Sequence, residues 1–214
     1  TNDMQTLTDA AQYAWDHNVI VVAAAGNNGN EEMYYPAACP HVIAVASVGM
    51  DDKVSSFSNY GTFVDLTSPG GYGPNDLGTW SPVSTTYHNA YAWAPIIGAV
   101  QYDGKVGTSM AAPIVAGLCG LLRALDSTHT PDTAEANLKL TSVNINALNS
   151  SYTGKIGTGR INAGAAVWYL ANLLSVKTEK KESLLVFPNP CSGMFSIQLP
   201  ASGKSCSMEV INIT

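Results

Sequence analysis

Charge is what this chain has least of. Asp, Glu, Lys and Arg make up 12% of its 214 residues, against about a quarter in an average globular chain. Ten basic and sixteen acidic side chains give a net charge of -6. That leaves no basic face for a phosphate backbone and excludes a nucleic-acid partner. So little charge suits a secreted or cell-surface protein. The four cysteines, at positions 39, 119, 191 and 206, lack the paired spacing of a zinc site. Cys119 reads as a small core residue, while Cys191 and Cys206 flank a strand-like stretch and either pair in an oxidising compartment or stay free. The longest apolar run near the start, residues 19–25, is too short to cross a bilayer, and no transmembrane segment is read. Thr1-Asn2-Asp3 opens into an amphipathic segment, not a basic and then apolar one, so no signal peptide is read here, and if the protein is exported the signal is expected upstream. Histidine is also scarce, with four in all.

Apolar residues, by contrast, reach 46%, ample for a packed core. A helix is predicted over 6–17, with Thr8 or Thr6 as cap, followed by an apolar strand over 19–25. A helix feeding a continuous β-branched run is the mark of a buried parallel sheet, which places the chain in the α/β class. The strand ends at Gly26-Asn27-Asn28-Gly29, and ligands of such sheets bind beyond the carboxyl ends of the strands. Asn27 therefore stands where chemistry would occur, or else is an ordinary residue of a Gly-Asn turn. A second strand is expected over 41–48 and short strands over 56–61 and 64–67, closed by a turn at 68–71. Residues 71–106 form a long connection rich in Gly, Tyr and Trp, of the kind that carries specificity. Further helices are predicted from Ser109 to about Leu125, from Pro131 to about Leu140 behind a Thr130 cap, and through 163–173.

The organising stretch is Gly107-Thr108-Ser109-Met110-Ala111-Ala112-Pro113, followed by an apolar run to Leu125. Ser109 reads as the N-cap of a helix apolar nearly all round, one that belongs inside a sizeable domain, and it sits at the positive end of the helix dipole. The string G-T-S-M-A-A-P resembles the nucleophile motif of the subtilisin-like serine proteases. Ala23-Ala24-Ala25-Gly26-Asn27 resembles that family's oxyanion strand end and lies upstream of Ser109, as the family's order requires. F-S-N-Y-G, D-L-T-S-P-G and G-T-G-R-I-N-A extend the resemblance over residues 1–174. It implies a subtilisin-like parallel sheet flanked by helices, acting on a protein or peptide substrate. It implies Ser109 as nucleophile and Asn27 as oxyanion donor, with Ala25, Gly26 and Tyr34 at the pocket for the side chain preceding the scissile bond. It also implies a cis Tyr35-Pro36 bond. No metal or cofactor is assigned; Asp65 is open to a loop calcium site or, as the favoured reading, to a carboxylate that is solvated or caps backbone N–H groups. Ile114 departs from the family, which usually has His after the proline.

A serine of this kind needs a base, normally His oriented by a carboxylate. His17 and His41 precede strands and so lie at the amino end of the sheet, and His129 follows the far end of the Ser109 helix, roughly 25 to 30 Å away. Only His88, in the long connection, is left by geometry. The family's Asp and His blocks are not in the sequence, and the resemblance places them upstream of Thr1, making this the carboxyl-terminal portion of the peptidase domain, inactive by itself. Two other readings compete. An α/β-hydrolase elbow would want Gly where Ala111 stands. A non-catalytic surface protein with a degenerate protease fold would need no base.

At residues 175–183 the composition turns to Lys and Glu, a solvated linker. Beyond it, F-P-N-P followed by S-G-M-F-S-I resembles the start of the sorting domain of the type IX secretion system. Residues 184–214 are then an incomplete β-rich segment, the secretion machinery is a partner, and the protein is secreted or surface-held after passing through the periplasm.

Overall fold

The computed structural model describes residues 2–72, 81–85, 102–177, 185–187 and 196–198. Cys191, Cys206 and His88 lie outside the described residues. The first helix, α1, spans Asn2–Asp16. It starts earlier than its composition suggested because neither threonine caps it: the Thr8 hydroxyl donates to the Met4 carbonyl, four residues back within the helix (2.9 Å). Strand β1 (Val21–Ala24) follows, then β2 (Val42–Val48) and β3 (Leu66–Pro69). The three pair in parallel in the order β1-β2-β3.

All seven residues of β2 are buried, which is why its sequence, Ser47 apart, is apolar instead of alternating. On one face, Val42 and Ala44 of β2 and Ala23 of β1 pack with Ala11 of α1 and with Ala37 and Cys39. On the other, helix α2 (Thr108–Leu125) lies against all three strands. Its sheet-facing side, including Val115, Leu118, Cys119 and Leu122, is buried, and burial pushes the Cys119 thiol up to about 11. The expectation of a helix buried on every side fails here. Ile114 is 39% exposed and Leu121 56%, because the sheet covers one face only. By length and composition α2 is also the one described helix that could cross a bilayer, a property the shorter run at 19–25 does not share.

The expected strand over 56–61 is absent. Ser55, Ser58 and Asn59 are buried there with their side chains hydrogen-bonded to neighbouring segments, as when Ser58 Oγ accepts from the Ser47 N–H of β2 (2.9 Å). Within the long connection, β4 (Val83–Thr85) and β5 (Tyr102–Gly104) form an antiparallel pair the sequence did not suggest. Helix α3 (Pro131–Thr141) begins as expected, with Thr130 Oγ1 accepting from Thr133 N–H and Pro131 in the first turn. Helix α4 spans Ala163–Lys177 and so continues into the stretch read as linker. The chain divides into two compact units, Thr1–Leu173 and Leu174–Thr214. In the second, β6 (Leu185–Phe187) and β7 (Ser196–Gln198) pair antiparallel.

Candidate active site

Strand β1 runs on through Ala25, whose N–H donates to Val45 O (2.9 Å), and then Gly26, at φ 113, turns the chain out of the sheet. Only glycine adopts that backbone without strain. Helix α2 starts alongside. Its N-cap is Gly107, at φ 145, and the Gly107 N–H donates to Gly70 O just beyond β3 (2.8 Å). The carboxyl ends of β1 and β3 and the amino end of α2 thus meet, as ligand sites in parallel sheets require.

Thr108 joins them. It is fully buried, and both its N–H and its hydroxyl donate to Asn27 Oδ1 at 2.9 Å, while its hydroxyl oxygen accepts from the Gly26 N–H (3.3 Å). With Oδ1 committed to two donors, what remains to the Asn27 amide is donation through Nδ2. Ser109 is the next residue, exposed, in the first turn of α2. It is therefore not the N-cap that its spacing suggested, because the left-handed backbone at Gly107 starts the helix two residues earlier. It keeps its place at the positive end of the dipole. Pro113 has no N–H to offer the Ser109 carbonyl four residues back, so the helix ladder opens at this point. Ser109 borders a cavity of about 690 Å³, lined also by Thr85, Lys105, Met110, Pro113 and Ile114.

On the other side of Asn27 lie the residues expected to form the pocket. Ala25 is fully buried and packs with Ala46 and Val64. A Cβ on Gly26 would stand 3.1 Å from Tyr34 Cδ2 and 2.6 Å from Asn59 Nδ2. The Tyr34 hydroxyl accepts from Asn28 Nδ2 (2.5 Å) and donates to Glu32 (3.5 Å). The Tyr35-Pro36 bond is cis, as expected. Two residues that sequence reasoning left without a role, Thr108 and Asn59, hold the others in place. Thr108 stands beside the serine within G-T-S, and Asn59 within F-S-N-Y-G, but nothing in their spacing says that they reach the Asn27 loop.

No described histidine stands at this end of the sheet. His17 follows α1 with its ring against Tyr13 (4.0 Å), His41 precedes β2 and stacks on Trp15 (4.4 Å), and His129 is buried beyond the end of α2, its Nδ1 3.3 Å from Thr133 Oγ1. Burial holds the His129 imidazole below its ordinary pKa. Asp65 accepts from Ala44 N–H (2.7 Å) and pairs with Lys139 (2.7 Å), the capping arrangement. Among the described residues no three His, Cys, Asp or Glu side chains gather where a metal ion could sit.

The Subtilase family model matches residues 1–162. The chain belongs to the subtilase family. It is 37% identical over 163 residues to thermitase of Thermoactinomyces vulgaris, covering 76% of this chain and 49% of thermitase. It is 36% identical over 191 residues to an extracellular protease of Xanthomonas campestris pv. campestris, covering 88% of this chain and 30% of that one. Among solved structures, proteases from Pseudoalteromonas arctica superpose with a TM-score of 0.62 at 32% identity, over 76% of this chain and 46% of theirs. A lanthipeptide protease superposes with a TM-score of 0.65 at 25% identity, over 78% of this chain and 55% of its own. This subtilase chain spans at most about half the length of these curated relatives.

Proposed function

We propose that this subtilase chain carries the nucleophile and oxyanion half of a serine endopeptidase. The observation that carries the reading is the Thr108 clamp on Asn27 Oδ1, which leaves the amide one hydrogen-bonding function, donation, one residue away from the exposed Ser109. In the proposed reaction Ser109 Oγ attacks the carbonyl of a peptide as a base outside this sequence removes its proton. The oxyanion accepts from Asn27 Nδ2 and from the Ser109 N–H. Collapse breaks the C–N bond, the leaving amine takes the proton back from the base, and water hydrolyses the acyl-serine. Ala25, Gly26 and Tyr34 flank the residue preceding the bond. The triad Asp and His are supplied by sequence outside this chain, so the chain alone is inactive.

Several relatives are named extracellular proteases, in keeping with a secreted or surface location. The resemblance of residues 184–214 to a type IX sorting domain supports export through the periplasm by that machinery. Deleting everything after Lys177 from the complete protein is expected to leave peptide hydrolysis unchanged and to trap the protease in the periplasm; normal export of the truncated protein rejects the sorting role.

A fluorophosphonate probe reacts only with an activated serine and so tests the chemistry. The complete protein is expected to label at Ser109, with loss of the label in Ser109→Ala and no label on this chain alone. Absence of label on the complete protein favours the second reading, a non-catalytic surface protein. Fast labelling of this chain alone would place a base within it and bring His88 forward.

A further inference from the structure

We infer that Asn59 is a positioning residue of the active site, holding the loop from which Asn27 donates. The inference rests on the reading of Ser109 as nucleophile and Asn27 as oxyanion donor. Asn59 is 0% exposed, and its N–H and both side-chain polar atoms are spent on one target, the loop that follows β1. Its N–H donates to Gly26 O (2.9 Å), its Oδ1 accepts from the Asn28 N–H (2.8 Å), and its Nδ2 donates to Glu32 O (3.0 Å). The residues immediately before and after Asn27 are therefore both bonded to one side chain and its own backbone. The Asn27 carboxamide is held separately, by Thr108. Asn27 is thus fixed at two points, through its backbone neighbours by Asn59 and through its side chain by Thr108.

Asn59 is itself anchored to the sheet. The adjacent Ser58 hydroxyl accepts from Ser47 N–H in the central strand and donates to the Asn59 carbonyl (3.0 Å), and Ser55 N–H donates to Ser47 O (3.0 Å). The Asn27 loop is in this way referred to β2, all seven of whose residues are buried. Asparagine is the side chain that can accept from one backbone group and donate to another across the loop. Aspartate keeps the acceptor for Asn28 but sets an oxygen against Glu32 O, and serine is too short to reach both.

A purely structural asparagine would affect folding and not the Asn27 step, and a double-mutant cycle in the complete protease separates the two. Asn59→Ser and Asn59→Asp, with the active fraction counted by fluorophosphonate labelling, are expected to lower kcat roughly 10- to 100-fold with KM within about twofold, the scale of a displaced catalytic group. In an Asn27→Ala background the same substitutions are expected to lower kcat by less than about threefold, because the donor they position is gone. Equal losses in both backgrounds, or an unchanged kcat per active site, overturn the inference while leaving the serine-protease reading intact. An unchanged kcat in Asn27→Ala alone would overturn that reading and the inference with it. Should Asn59→Ser fail to fold, Asn59→Asp, which retains the Asn28 contact, carries the cycle.

Discussion

The two ends of the parallel sheet differ in how they use polar residues. At the carboxyl ends, Asn27, Thr108 and Asn59 bond to one another's loops through short contacts, with Thr108 and Asn59 fully buried, and two left-handed glycines, Gly26 and Gly107, let the backbones approach. At the amino ends, His17 and His41 are exposed and lie against aromatic rings. A buried amide without partners costs about 1–3 kcal/mol, so a fold tolerates a cluster of them only when every member is satisfied. The satisfied cluster lies where the dipole of α2 and the strand ends also point, and the scattered imidazoles lie where they do not.

Breaking the polar end should give the largest effects. Asn27→Ala in the complete protease is expected to lower kcat roughly 10²- to 10³-fold at similar KM, a range itself measured on a subtilisin oxyanion donor. Thr108→Val removes the hydroxyl that donates to Asn27 Oδ1 and accepts from Gly26 N–H, but keeps the backbone donor. The expected loss is about tenfold in kcat, with a stability cost of about 1–3 kcal/mol for the Gly26 N–H left without its acceptor. Steady-state kinetics and chemical denaturation of the same preparations separate the two. If Thr108→Val altered stability alone, Asn27 would not depend on the clamp.

How far this contrast was legible in the sequence depended on whether local pattern or distant contact decides each residue. The parallel core could be read from the helix that feeds the apolar run at 19–25, and the α3 start from Thr130-Pro131, because both follow from local chemistry. Ser109 and Asn27 could be found by resemblance. The start of α2 could not be placed, since the left-handed backbone at Gly107 is imposed by the meeting of its N–H with Gly70 O. Asn59 was equally hidden: it lies 31 positions along the chain from Asn28, and only the folded loops bring them together (2.8 Å). The exposed flank of α2 misled for a related reason. Composition reports that a helix is apolar, not how many of its faces a sheet covers.

The histidine end should yield the smallest effects, and they should concern stability. His17→Gln and His41→Gln are expected to leave fluorophosphonate labelling unchanged. His129 is the exception among the described histidines, because it is buried, with Asp126 drawing its pKa upward and burial, the larger cause, and Arg123 drawing it downward. Its folded pKa therefore lies below the value of 6.5 of the free group. As the pH falls through about 6.5 the unfolded chain takes up a proton that the folded chain refuses, so the unfolded state binds more protons and stability falls with pH. The contribution is fully present above that point and is lost on the way down to the folded pKa. Thermal melting of the Ser109→Ala protein at pH 7.5 and pH 5 should show a drop in Tm that His129→Leu reduces. Equal drops in both proteins would mean that His129 is protonated as readily in the fold as out of it, and would remove the one imidazole that sets this end of the sheet apart from solvent.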